Sequence, residues 1–281
     1  MPQLVDPPHG GLPDERLANG CFETMRAYHG RIFRLEAHLD RLYASAVYLG
    51  SRAPADRAAF ARRLTQALAR SGLSEAVVRV ALLPRAASDE RRRAGSRPRG
   101  EARPAIIVQP AIVPPASLYR RGIRLAVVPT RKFGVGGVSP QAKYSARLGS
   151  VLAVMDAQLR GVDEALFIDA LGYVTESTAS NFGMVRGGAI VTPPCSLGLL
   201  AGITRDVLFE LARALRLPIR ECPLTRHDIY TADEAFLSST LKEVLPVTAV
   251  DGRQIGTGRP GPLAKRLLRA FRTLVRKELR W

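Results

Sequence analysis

A mixed α/β protein of two lobes is what this sequence predicts, and three observations carry the prediction. The chain has 281 residues, enough for a large core and between one large domain and two ordinary ones. Short runs that alternate with period two interleave with runs whose apolar residues recur at i, i+3, i+4 and i+7. At Ile112-Val-Pro-Pro-Ala-Ser117 the prolines forbid a helix interior and a central strand alike. The lobe boundary therefore falls there, giving a smaller N-terminal α/β lobe over 1–113, a linker over 114–118 and a larger C-terminal lobe over 119–281.

The elements follow in order. Residues 20–35 alternate around a turn at His29-Gly30, with Phe22, Met25, Tyr28, Ile32 and Phe33 apolar, which predicts a hairpin. From Leu35 the spacing of Leu35, His38, Leu39, Leu42 and Ala46 is helical, and a second helix covers Ala55–Arg70. Strands follow at Ala76–Leu83 and Ala105–Pro110, then at Ile123–Val128 beyond the proline segment. Arg131–Pro140 is a glycine-rich loop, and the helix from about Ala146 to Arg160 carries Leu148, Val151, Leu152, Met155 and Leu159 on one face. Glu164–Asp169 is a strand, Leu171-Gly172 a turn, and a short strand runs into Glu176. A hairpin turns at Arg186-Gly-Gly188. Gly202-Ile-Thr-Arg205 opens a helix with Ile203, Val207, Leu208, Leu211 and Leu215 on its apolar face; strands at Ala235–Ser239 and Val247–Val250 and a closing helix at Gly261–Glu278 complete the chain.

Composition narrows the function. Hydrophobic content of 46% and charge of 24% fit a folded globular protein. The first residues lack a basic segment followed by an apolar one, and no run approaches the roughly 18 apolar residues of a membrane span, so a cytoplasmic chain without a membrane partner is expected. Cys21, Cys195 and Cys222 are odd in number, far apart and without a C-x-x-C pair, which predicts free thiols and no metal site. The net charge of +17 invites a nucleic-acid reading. The densest basic run, Arg85–Arg103, contains Arg91-Arg92-Arg93 but no aromatic residue to stack on bases. It reads as a solvated loop between two strands, and no nucleic-acid partner is expected.

Five lysines stand in this arginine-rich chain, Lys132, Lys143, Lys242, Lys265 and Lys277, and Lys143 lies just before a helix. A lysine can lose its proton and form an imine; arginine cannot. Gly202-Ile203-Thr204 sits where a loop becomes a helix, a place for an anion or for a plain N-cap. Arg41 in His38-Leu-Asp-Arg41 can meet a phosphate or solvate a helix face, and Thr240 ends a strand in Ser238-Ser-Thr-Leu-Lys-Glu243, a place for a binding loop or an ordinary turn. Glu176, in a polar cluster between apolar runs, is either a turn acid or the partner of a heteroaromatic nitrogen. Together these groups suit pyridoxal phosphate, which needs an amine, a ring-nitrogen partner and a phosphate cup.

The ordered text of these segments resembles the class IV pyridoxal-phosphate-dependent aminotransferases, the family of branched-chain and D-amino-acid aminotransferases and of aminodeoxychorismate lyase. The resemblance runs from about Gly20 to about Gly252. It rests on Gly20-Cys-Phe-Glu-Thr-Met-Arg26, Arg34-Leu-Glu-Ala-His-Leu-Asp-Arg-Leu42, Lys143 with Leu148–Ala153, and Asp163-Glu-Ala-Leu-Phe-Ile-Asp169. It continues through Gly172-Tyr-Val-Thr-Glu176 with Asn181-Phe182, Gly202-Ile-Thr-Arg205, and Ser239-Thr240 with Glu243 and Pro246-Val247. It implies the fold type IV architecture, pyridoxal 5′-phosphate as cofactor, a homodimer, and transfer of an amino group between an amino acid and a 2-oxo acid.

The resemblance further implies that Lys143 holds the cofactor as an imine and shuttles the proton, and that Glu176 pairs with the pyridine nitrogen. Arg41, the N–H groups of Ile203 and Thr204 and the hydroxyls of Thr204 and Thr240 hold the phosphate, and the turn Thr240-Leu241-Lys242 meets the substrate carboxylate through its backbone. Three places bear on the substrate. Ala146-Arg147 stands where the transaminases usually carry an asparagine followed by tyrosine or leucine, and the arginine looks like the lyase. Thr240, Glu243 and Pro246-Val247 look like the transaminases. Phe22 stands where D-amino-acid enzymes tend to carry tyrosine, which favours branched-chain or other apolar substrates, and Arg85 is a candidate reader of a second carboxylate.

Overall fold

The computed structural model describes residues 20–83, 101–130, 139–145 and 148–281. The chain divides into two compact units, and each has its own sheet. The N-terminal unit holds residues 20–83, 101–112, 142–145 and Trp281; the C-terminal unit holds 113–130, 139–141 and 148–280. The short segment around Lys143 thus belongs with residues some 100 positions earlier, not with its chain neighbours.

In the N-terminal unit, β1 (Cys21–Tyr28) turns into β2 (Arg31–Ile32) through His29 and Gly30, both left-handed with φ 46° and 71°. Such a turn matches the twist of a hairpin. β3 (Ala76–Leu83) and β4 (Arg103–Pro110) complete an antiparallel sheet of order β2-β1-β3-β4. Helices α1 (Leu35–Tyr48) and α2 (Arg57–Ser71) cover one face of it. α2 begins where the Asp56 carboxylate accepts the Ala59 N–H at 2.7 Å and ends at left-handed Gly72. Leu39, Leu42, Phe60, Leu64 and Leu68 pack there against Met25, Val78, Val80 and Leu82. Period two puts Cys21, Glu23, Met25 and Ala27 of β1 on the same inward face, so a glutamate stands among apolar neighbours.

Lys143–Ser145 runs beside the start of β1. The Phe22 N–H donates to the Lys143 carbonyl at 2.9 Å, the Ser145 N–H to the Gly20 carbonyl at 2.9 Å, and the Lys143 N–H to Ser45 Oγ at 3.0 Å. The backbone of the lysine is held from two sides.

The C-terminal unit contains β5 (Ile123–Val127), β6 (Glu164–Ile168), β7 (Val174–Ser177), β8 (Asn181–Arg186), β9 (Ala189–Thr192) and β10 (Ile219–Glu221), with β11 (Glu234–Ser239), β12 (Glu243–Val250) and β13 (Arg253–Gln254). Its helices are α3 (Ala116–Arg121), α4 (Leu148–Leu159), α5 (Ile203–Ala214), α6 (Arg226–Tyr230) and α7 (Pro262–Leu279). The strands follow the order β10-β9-β8-β11-β12-β5-β6-β7, with β13 on β12, and β7 pairs back onto β8. That last pairing closes β8, β11, β12, β5, β6 and β7 into a ring around Leu125, Leu166, Phe182, Leu237 and Leu245.

The structure adds β10, β13 and α6, whose patterns are too short to show a period, and makes part of the predicted 114–118 linker helical, since α3 starts at Ala116 behind Pro115. Leu148, Val151, Leu152, Met155 and Leu159 do share one face of α4, but that face is turned outward, 46–88% exposed. The inward face is Ser150, Ala153 and Ala157, whose small side chains let the helix lie close on Val128, Ala165 and Phe167. The predicted loops over Arg131–Pro140 and Arg85–Arg103 fall largely outside the described residues. No helix among the described residues is long and apolar enough to cross a membrane.

Gly183 of β8 stands opposite Phe236 of β11, and a Cβ there would lie 2.5 Å from the ring. Gly183→Ala therefore overpacks the ring of strands, and we expect a loss of about 1–3 kcal/mol, read as a lower urea midpoint with unchanged slope.

Candidate functional site

Two clusters of polar side chains stand out, one in each unit. In the N-terminal unit the wholly buried Glu23 carboxylate receives a fork from Arg41, Nε at 2.6 Å and Nη2 at 2.8 Å, and meets His38 Nδ1 at 2.8 Å. His38 and Arg41 lie three residues apart on α1, hence on one face. An ionised carboxylate can only accept, so Nδ1 carries the hydrogen. Burial opposes ionisation of Glu23, but the field of the Arg41 guanidinium and the hydrogen bonds from Arg41 and His38 outweigh it and hold the carboxyl well below its usual range. Burial likewise lowers the pKa of His38, and the positive charges of Arg41 and Lys143 act the same way against the opposing pull of Glu23.

Arg41, Lys143 and Phe22 come together here. The Lys143 ammonium lies 5.2 Å from the centre of the Phe22 ring, a cation–π distance. Ser45, one turn beyond Arg41, accepts the Lys143 N–H and donates to the Arg41 carbonyl at 2.8 Å, so one hydroxyl links the two cationic residues through their backbones. The Cys21 thiol beside them is pushed up to about 12 by burial and is no nucleophile at neutral pH.

In the C-terminal unit the pairing of β7, β8 and β11 lines up Glu176, Asn181 and Ser238 in one cross-strand row. The buried Glu176 carboxylate accepts the Leu200 N–H at 3.2 Å and Asn181 Nδ2 at 3.3 Å. Asn181 Nδ2 also donates to the Leu200 carbonyl at 2.8 Å. The strand row is thereby tied to the loop that opens α5. Gly202, at the N-cap of α5, lies against Asn181: a Cβ there would fall 1.9 Å from Asn181 Oδ1. Ile203 and Thr204 follow, buried, in the first turn. Among the described residues no acceptor meets their N–H groups.

A second helix of this unit shows what such an end takes. α7 starts at Gly261, and the Glu234 carboxylate fills the space a Cβ would need, accepting the Leu263 and Ala264 N–H groups at 2.9 and 2.8 Å. An anion at a glycine-capped helix start is thus already part of this protein.

Thr240, Leu241 and Lys242 form a three-residue turn between β11 and β12, closed by Ser239 opposite Glu243. The Lys242 N–H donates to Ser239 Oγ at 3.3 Å, and its ammonium is bound to Glu164 of β6. Arg85 and Arg147 lie outside the described residues. Glu23, His38, Ser45, Asn181 and Glu164 had no functional role assigned from the sequence, yet all five hold candidate site residues or their partners here. Glu23 could have been found as an acid at an inward position of a period-two strand, facing His38 and Arg41. Glu164 carries no such signal, because its partner is 78 residues away.

The family described as amino-transferase class IV matches residues 20–250. A protein of Methanocaldococcus jannaschii, provisionally named a branched-chain-amino-acid aminotransferase, is 37% identical over 259 residues, 92% of this chain and 88% of its own. The branched-chain-amino-acid aminotransferase of Pseudomonas aeruginosa is 32% identical over 91% of this chain and 84% of its own. Among solved structures, the T.th. branched-chain amino acid aminotransferase complexed with N-(5′-phosphopyridoxyl)-L-glutamate superposes with a TM-score of 0.82 at 31% identity, covering 91% of this chain and 84% of its own. The same enzyme complexed with 4-methylvaleric acid gives 0.82 at 30% identity with the same coverage.

The buried pair of His38 and Glu23 makes stability depend on pH. Unfolded, His38 takes its proton near 6.5 and Glu23 near 4.5, and both folded values lie lower. The unfolded chain therefore binds more protons first below about pH 6.5 and again below about pH 4.5, and acidification favours unfolding in both windows. Denaturation midpoints should fall as pH drops from about 7 to 5, and His38→Gln should flatten that part of the profile.

Proposed function

Because this chain belongs to the class IV aminotransferase family, we propose that it moves an amino group between branched-chain amino acids and 2-oxo acids. Its cofactor is pyridoxal 5′-phosphate, and glutamate with 2-oxoglutarate is the recycling pair. The observation that carries the reading is the glycine-capped start of α5 beside the Glu176–Asn181 pair: unmet N–H groups for a phosphate and, next to them, an oriented buried carboxylate for a ring nitrogen. The same chain fills its other glycine-capped helix start with a carboxylate, so the donor set of α5 fits a phosphorylated group. The branched-chain preference draws support from the named relatives and from the 4-methylvaleric acid and phosphopyridoxyl-glutamate complexes of the T.th. enzyme.

When bound, the cofactor supplies an aldehyde carbon for the amino group and a ring that withdraws electrons from the substrate Cα. Lys143 would be its attachment point, and Nζ would carry the proton from the substrate Cα to the C4′ carbon of the cofactor. The bonds from Phe22 and Ser45 to the Lys143 backbone limit where that nitrogen can go. Glu176, oriented by the Leu200 N–H and Asn181 Nδ2, would keep a proton on the ring nitrogen. As the family resemblance implies, Arg41, the Ile203 and Thr204 N–H groups and the Thr204 and Thr240 hydroxyls would hold the phosphate; Glu23 and His38 set the direction of the Arg41 fork. The turn Thr240-Leu241-Lys242 receives the substrate carboxylate on backbone donors, and Phe22 borders the side chain. Three free cysteines are in keeping with a cytoplasmic location.

The chain also works as a homodimer in this reading. What supports it is the outward stripe of Leu148, Val151, Leu152, Met155 and Leu159, an apolar surface that a second copy would cover symmetrically. Wild-type protein should sediment as a dimer, and Val151→Glu with Met155→Glu should shift it to monomer; a wild-type monomer at micromolar concentration would remove this part of the reading.

Mixing the cofactor-loaded protein with single amino acids tests the activity. Leucine, isoleucine, valine and glutamate should each discharge the yellow absorbance, and release of pyruvate from aminodeoxychorismate without any amino acceptor would instead identify the lyase. Lys143→Ala should acquire neither the yellow absorbance nor, after borohydride reduction, the cofactor mass seen on the wild-type peptide.

A further inference from the structure

We infer that Lys242 is a positioning residue, whose side chain fixes from behind the turn that receives the substrate carboxylate; the inference rests on the reading of that turn given above. Lys242 sits on the turn yet sends its ammonium to Glu164 on β6, with only 13% and 6% of the two side chains exposed. Glu164 also accepts the Thr178 hydroxyl, so the carboxylate is itself anchored to the segment between β7 and β8. The Lys242 carbonyl accepts the Tyr119 hydroxyl of α3 at 3.1 Å, and its N–H turns back to Ser239 Oγ. The next residue, Glu243, is buried and left-handed with φ 53°, a conformation uncommon for a side chain of its length. Its Oε2 accepts Arg272 Nε of α7 at 2.7 Å, and that guanidinium lies 5.0 Å from the centre of the Tyr119 ring. Elements α3 and β6 thus meet on the three-residue turn, and α7 holds the residue that follows it.

Stability alone gives little reason for this arrangement. A buried ion pair returns roughly what its desolvation costs, and two apolar side chains in its place are often as stable or more so. A non-glycine residue at positive φ adds strain that persists only where its surroundings over-determine it. What the arrangement does provide is a backbone with one conformation. The donors left for a carboxylate are then the N–H groups of Thr240 and Leu241, held before the substrate arrives. The pairing also cancels the lysine's charge, so the turn selects a carboxylate by geometry and Lys242 is no reader of a second acidic group.

Kinetics of the cofactor-loaded enzyme with leucine and 2-oxoglutarate decide the matter. Lys242→Met should raise KM for both substrates about tenfold, with kcat changed by less than about threefold, because the loosened turn affects capture and not the proton transfer. Where that variant fails to fold, Lys242→Met combined with Glu164→Met takes its place. It removes both charges, should keep the thermal midpoint, and should still show the raised KM. A KM within about twofold of wild type in either folded variant overturns the inference. Should wild-type enzyme show no half-reaction with any amino acid, it is the transaminase reading that fails.

Discussion

A carboxylate taken out of water must find donors or give up its charge, and this constraint organises the molecule. Among the described residues five glutamates, Glu23, Glu164, Glu176, Glu234 and Glu243, are at most 8% exposed. Each is met by donors from another element: Glu23 by α1, Glu164 by the β11–β12 turn, Glu176 by β8 and the loop before α5, Glu234 and Glu243 by α7. These are the bonds that fix helices and loops on the strands at the places where the candidate site residues stand. Apolar packing brings the same elements together, but it tolerates small rotations and slips that a two-donor carboxylate does not.

The same logic separates the two glycine-capped helices. A helix start without a capping side chain has N–H groups to satisfy and a positive end to neutralise. α7 solves this with Glu234, and the absence of Cβ at Gly261 makes room for it. At α5 the room made by Gly202 is taken by Asn181, which turns toward Glu176 and Leu200 rather than toward the helix N–H groups. One helix end is a structural joint. At the other, no acceptor among the described residues meets the Ile203 and Thr204 N–H groups.

Much of this was legible in the sequence, and the reasons differ by residue. The hairpin at His29-Gly30, the helix from Leu35 and the strand Ala76–Leu83 follow from local periodicity and turn chemistry, which act within a few residues. Lys143, Glu176 and the Gly202-Ile-Thr start stood out as candidates by residue type, each with an ordinary alternative, and the ordered resemblance to the family is what gave them roles. α4 shows the opposite case. Its apolar stripe was plain and its direction was not, since periodicity identifies a face but not the neighbour it meets; Ala153 and Ala157 won the inside because only small side chains let the helix approach Ala165 and Phe167.

The order of the longer elements, the α/β class and the family were thus legible in the sequence, because those depend on residue identity and spacing over a few turns; Lys143 and Glu176 stood there as candidates for the chemistry. Only the tertiary structure decided which partners hold those side chains: Glu23 beneath Arg41, Asn181 between Glu176 and Gly202, Glu164 under Lys242, Ser45 behind Lys143. The physical reason is that a hydrogen bond or ion pair between residues 78 or 98 positions apart is set by chain reversal and packing, neither of which leaves a mark on the local pattern.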